Sequence, residues 1–159
     1  MRPEVQSDLS NSAYEFLRVV WPAIKPWFGG GEVHAVEAVT HNGFDKELDT
    51  LAGIDAWHLM RGECAIRGIA SRVQWGNDWD TFTIRISRPS GAKTEYEKRI
   101  NQLDNLHRGI VLPYATVQAY VDEPKREGKL LSVAVVTTKG LFELARGLVE
   151  KGRYASFEN

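Results

Sequence analysis

Apolar residues recur at helical spacing near the start of the chain, at Leu9, Ala13, Phe16, Leu17, Val20 and Ile24. They predict an amphipathic helix over about 8–21 that docks one face on a core. Ser12 and Glu15 stand three apart, as in a capping box. Pro22, Pro26 and Gly29-Gly30-Gly31 then punctuate the chain and predict a linker at 29–31. Beyond them the pattern changes to short extended runs. Val33, Val36 and Val39 predict a strand over 32–40, and His41-Asn42-Gly43 a turn. Residues 53–60 read as a second strand, Arg61-Gly62-Glu63 as a turn, and 65–75 as a third strand. After Gly76-Asn77-Asp78, alternation of Phe82, Ile84 and Ile86 predicts a fourth over 81–87. Thr94 and Glu97 form a capping box for a helix over 94–105, with Tyr96, Ile100 and Leu103 on one face. Residues 110–121 read as extended, interrupted by Pro113, and 122–129 as a charged loop. Residues 130–136 are apolar on both faces, as a central strand should be. Thr138 is placed to cap a last helix with the stripe Leu141, Leu144, Ala145 and Leu148. The order α-β-β-β-β-α-β-β-α predicts an α/β fold, a mixed β-sheet flanked by helices.

A chain of 159 residues fits a single domain over 1–159, its core spanning about 32–151. Hydrophobic residues at 43% and charged residues at 26% exclude a disordered or fibrous chain. Twenty Lys and Arg against 21 Asp and Glu give a net charge of -1, which excludes a strongly basic clamp but not a local basic patch. The single cysteine, Cys64, excludes an internal disulfide and a multi-thiolate metal site, and it fits a reducing compartment. No apolar run approaches the roughly 18 residues of a membrane span. The polar start lacks the apolar core of a secretory signal. The expectation is a soluble, cytoplasmic protein.

Several chemistries are excluded by spacing. Gly29-Gly30-Gly31 lacks the Lys-Ser/Thr of a phosphate loop. His34, His41, His58 and His107 have no metal-ligand spacing among themselves or with Cys64. The informative residue is Asp55, a carboxylate inside an otherwise apolar strand, where burial is costly unless the group is paired or coordinated. Alternation puts Gly68, Ala70, Arg72 and Gln74 on one face of the next strand. Antiparallel pairing across the 61–64 turn brings Asp55 towards Arg72 or Gln74. Two readings stay open: a functional acid beside a cation and an amide, and a structural Asp–Arg pair closing a hairpin face.

Three stretches carry a resemblance. Residues 48–55, Leu48-Asp49-Thr50-Leu51-Ala52-Gly53-Ile54-Asp55, are followed by Ile69-Ala70-Ser71-Arg72-Val73-Gln74 and by Thr94-Glu95-Tyr96-Glu97-Lys98-Arg99. Together with the leading helix they resemble the PD-(D/E)XK nuclease superfamily. The resemblance implies a restriction-endonuclease-like core, with Asp55 as the first acid of a Mg²⁺- or Mn²⁺-dependent site. The sequence departs from the family in the second strand, where Arg72 and Gln74 stand in place of Glu-x-Lys. An arginine grips phosphate bidentately but holds no metal. In the catalytic reading Asp55 binds Mg²⁺ with Glu37 or Asp49, Gln74 positions water and Arg72 holds the phosphate. Such nucleases often act as dimers, so a homodimer is implied as well.

Arg85, Arg88, Lys93, Lys98, Arg99 and Arg108 cluster within 24 residues and are the candidate contacts to a nucleic-acid backbone. Trp75 and Trp79 flank the turn at 76–78, where they either stack on bases or shield a small core. The expected function is a metal-dependent nuclease acting on nucleic acid, DNA before RNA. The alternatives are an inactive nuclease-fold protein that binds DNA or a partner protein, and a small α/β interaction or regulatory module.

Overall fold

The computed structural model describes residues 11–36, 52–79, 81–123 and 128–155. A long first helix, α1, runs over 11–28. It is followed by β1 (Glu32–Ala35), β2 (Ala56–Met60), β3 (Ala65–Trp75), α2 (Glu95–Asp104), β4 (Ala115–Val121), β5 (Leu130–Thr137) and α3 (Thr138–Glu150). The strands form one mixed sheet in the order β1-β2-β3-β4-β5. β1, β2 and β3 are an antiparallel meander, β3 and β4 are parallel, and β5 returns antiparallel to β4. The fold is therefore α/β, with α2 in the crossover that a parallel pair requires. No helix among the described residues is long and apolar enough to cross a membrane.

α1 extends past both prolines. Pro22 lacks an N–H and its ring crowds the carbonyl four residues back. A π-helical turn over Phe16–Val20 accommodates it, with the Trp21 N–H donating to the Phe16 carbonyl five residues earlier. A 3₁₀ turn over Lys25–Phe28 follows, and Gly29 ends the helix in the left-handed conformation at φ 77°. Phe16, Val20, Trp21, Ile24 and Phe28 pack on Ala56, Ile69, Val73 and the odd-numbered residues of β4, making the main core on one face of the sheet. His58 belongs to this core, between the rings of Trp21 and Phe28, and hydrogen bonds to the Gly30 carbonyl at 2.7 Å.

The strand expected over 81–87 does not form. Phe82, Ile84 and Ile86 alternate with exposed neighbours as anticipated, but β3 is already paired with β2 on one side and β4 on the other. The segment crosses the sheet face instead, anchored by the Tyr120 hydroxyl donating to the Thr81 carbonyl at 3.0 Å. The described residues thus hold five strands where six are expected. The strand buried at all seven positions is β4, an interior strand beside the central β3, and not β5, which is an edge. In α3, Phe142 is the buried anchor and Leu144 points to solvent. Thr138 does not cap that helix: its hydroxyl bonds the Thr116 hydroxyl at 2.8 Å in the interior, and Thr137 is the N-cap. The expected turn at 41–43 and the outer part of the 32–40 strand lie outside the described residues.

Candidate functional site

Strand alternation sends Ala70, Arg72 and Gln74 to the sheet face opposite the main core, and the β3–β4 register sets Thr116, Gln118 and Tyr120 beside them. β4 is buried, so each of these polar groups needs a partner. Gln118 donates to the Gln74 side chain at 3.0 Å, and Thr116 is bonded to Thr138. α2 and the 82–84 segment stand over this face and leave an open cleft of about 860 Å³, into which Asp55, Arg72, Lys93, Glu95, Lys98 and Gln118 project.

Asp55 sits where β2 begins. Its backbone N–H still donates to the Ile69 carbonyl at 2.9 Å. Its side chain accepts the Ser71 N–H at 2.6 Å, so one carboxylate oxygen continues the ladder where the backbone leaves it. The carboxylate is half-buried and lines the cleft.

Two arginines organise the rest. Arg72 donates to Glu95 at 2.9 Å and to the Thr83 carbonyl at 3.1 Å, tying β3 to α2 and to the crossing segment. Arg99 is 3% exposed. Its guanidinium donates to the carbonyls of Ala52 at 2.6 Å and Gly53 at 2.8 Å and to Gln102 at 2.9 Å. Gln102 also donates to Ala52 and to Val111. Burial pushes the Arg99 pKa down, and the charges of Glu95 and Asp55 oppose that shift. Gly53 is required at this approach: it has φ +59°, and a Cβ there would lie 2.7 Å from Arg99 Nη2. The clamp holds the 52–55 segment, and hence Asp55, against α2.

No protein-family model, curated protein or solved structure matches the chain. The residues themselves therefore carry the functional reading.

Asp55 and Arg72 share the cleft, as β-pairing predicts. Gln74 lies one residue pair further along and reaches the cleft only through Gln118. Lys93 and Lys98 line the cleft, and Arg85 and Arg88 are exposed on the segment leading to it. Arg99 is not a surface contact: it is 3% exposed, and its Nη1 and Nη2 groups donate to Ala52, Gly53 and Gln102, which corrects its expected role. Glu37 and Asp49, the other expected metal ligands, lie outside the described residues. Among the described residues no three acidic, histidine or cysteine side chains gather as a metal site would need. Two participants were missed by sequence reasoning. Glu95 follows an N-cap, where an acid is ordinarily read as complementing the helix dipole. Gln102 gave no signal except its place on the face of Arg99, three residues away.

The N-terminus of α2 is fixed by its capping box. Glu97 N–H donates to the Thr94 hydroxyl at 3.2 Å, and Thr94 N–H donates to the Glu97 carboxylate at 2.7 Å. The Thr94 N–H and the Thr94 hydroxyl, which donates to the same carboxylate at 3.1 Å, hold the Glu97 carboxyl below the usual glutamate range. A carboxyl whose folded pKa is lowered stabilises the fold above its unfolded pKa and loses that contribution as pH falls through the folded value. Thr94→Ala is expected to cost about 1 kcal/mol at neutral pH. Glu97→Gln keeps a side chain able to complete the box. Its deficit against wild type in urea denaturation is expected at pH 7 and should close as the solution is acidified below the ordinary glutamate range, about pH 4. A deficit unchanged by acid would show that charge at Glu97 contributes nothing.

Proposed function

We propose that this is a nuclease-like protein of the PD-(D/E)XK type that grips the phosphodiester backbone of nucleic acid, DNA before RNA, in the cleft beside Asp55. The observation that carries the reading is the convergence of Asp55, Arg72, Glu95, Lys93 and Lys98 on one open cleft. The order of elements supports it: a leading helix, a β2–β3 hairpin bearing Asp55 and then Arg72 and Gln74, a helix bearing Glu95, and a further strand. Lys93 and Lys98 line the cleft with positive charge of the kind that attracts phosphate oxygens. Arg72 is positioned to transfer donors from Glu95 to a phosphate.

Magnesium or manganese is the cofactor the resemblance implies. Asp55 and Glu95 are the acids of the cleft, but Glu95 is shared between Arg72 and Arg99. The described donor set therefore does not fit a divalent cation by itself. That same Arg72–Glu95 pair favours a second reading, a nuclease-like protein that binds without cutting.

One experiment separates them. Wild-type protein is incubated with plasmid, linear and single-stranded DNA and with RNA, in Mg²⁺, Mn²⁺ or EDTA, and both cleavage and retention are measured. Metal-dependent cleavage supports the nuclease. Salt-sensitive binding that persists in EDTA without cleavage supports the non-cutting binder. Neither cleavage nor binding overturns both and leaves the small interaction module.

A further inference from the structure

We propose that the protein self-associates through β5, two copies pairing their edge strands antiparallel about a two-fold axis to make one continuous ten-stranded sheet. The reading is independent of the nuclease assignment. The sheet has two edges, β1 and β5. β1 is four residues long and carries Glu32 and His34, with Arg61 held on Glu32 at 3.3 Å. Short, charged edges of this kind resist pairing. β5 is the opposite. It runs for eight residues, Leu-Leu-Ser-Val-Ala-Val-Val-Thr, with no charge, no proline and no glycine, and no described strand pairs with its outer side. Its pairing with β4 shifts register near its start, between Leu130 and Ser132, and is regular from Ser132 to Thr137.

The contrast between the edges identifies the occupant. Pairing β5 of one copy with β1 of another would be head-to-tail and would build an open filament. The charged, short β1 edge disfavours that. An isologous β5–β5 contact closes after two copies, and an uncharged strand meets no like charge when it faces itself.

Register follows from the two faces. In an antiparallel pair, opposed residues share a face, so the axis must fall on a residue and not between two. Centring it on Ala134, which is exposed, opposes Val133 with Val135 and Ser132 with Val136, all inside the stretch 132–137 that pairs with β4 without a register shift.

The test is sedimentation velocity from micromolar to near-millimolar concentration. Wild type is expected to show a reversible monomer–dimer equilibrium. Ala134→Glu and Ala134→Lys each set like charges against each other on the axis, and each is expected to weaken association at least about tenfold. Because Ala134 is exposed, both variants should keep the wild-type circular dichroism spectrum and Tm. Mixing the two variants should restore the dimer. In a Cys64→Ser background, Ala134→Cys should form an intermolecular disulfide on mild oxidation, since directly opposed strand residues lie about 4.5–5.5 Å apart. A monomer at every concentration overturns the proposal. So does a dimer that Ala134→Glu and Ala134→Lys leave intact, or one that the mixture fails to restore.

Discussion

Replacing Arg99 with methionine is expected to destabilise the fold by about 1–3 kcal/mol, the cost of leaving a buried polar group without its partner. Methionine fills similar volume, so the loss reads hydrogen bonding and charge more than cavity formation. The carbonyl of Gly53 loses its Arg99 donor, while that of Ala52 keeps Gln102. Glu95 keeps Arg72 at 2.9 Å but loses its buried neighbour. Arg99→Lys is expected to recover only part of the loss, because a point ammonium cannot reach Ala52, Gly53 and Gln102 together as a planar fork does. The measurement is the urea midpoint of wild type, Arg99→Met and Arg99→Lys at constant m-value. A loss below about 1 kcal/mol for Arg99→Met, the range of exposed ion pairs, would show that the clamp is not what holds the 52–55 segment. The same variants test positioning. If Arg99 sets the place of Asp55, whatever the cleft binds should bind more weakly to Arg99→Lys at temperatures where that variant is fully folded.

The Arg99 clamp also marks where reading the chain stops. Local signals were legible. The Thr94–Glu97 capping box is where the sequence puts it, and β3 spans 65–75 as read, because turn chemistry and alternation are properties of neighbouring residues. Asp55 stands out for a local reason too, an acid in an apolar run. What failed was non-local. The 81–87 segment has the alternation of a strand but no partner, since β4 arrives later in the chain and takes the place beside β3. β5 reads as central because it is apolar on both faces, yet nothing follows it in the sheet. α1 passes through Pro22 because a π-helical turn absorbs the missing N–H, an adjustment invisible in residue types. Arg99 was grouped with surface cations because five other cations lie near it in sequence. Only the return of α2 across the 52–53 segment turns it inward. Glu95 was overlooked for the same reason, as its partner Arg72 is 23 residues away.

Substitutions at Asp55 are expected to have the largest effect on function, and two of them separate its two roles. Asp55→Asn keeps an oxygen able to accept the Ser71 N–H, which the carboxylate now accepts at 2.6 Å, and removes the charge. Its stability is expected to stay within about 1 kcal/mol of wild type, the net worth of a single hydrogen bond. Asp55→Ala removes the acceptor as well and leaves the Ser71 N–H without it, which is expected to cost about 1–3 kcal/mol. If the protein cuts nucleic acid with Asp55 as its principal acid, both variants should lose cleavage by at least roughly 10²–10³-fold, the scale for deleting a group that stabilises developing charge. Asp55→Asn should do so while fully folded. If the cleft binds without cutting, removing a negative charge should leave affinity for DNA unchanged or raise it, because less repulsion opposes the phosphates. If Asp55 only completes the β2–β3 ladder, Asp55→Asn should behave as wild type in every assay and Asp55→Ala should lose stability alone. Activity and urea midpoint measured on the same two variants give a different pattern for each role. Loss of cleavage in Asp55→Ala together with full cleavage in Asp55→Asn would reject the acid and leave the hydrogen bond to Ser71 as the whole contribution of this side chain.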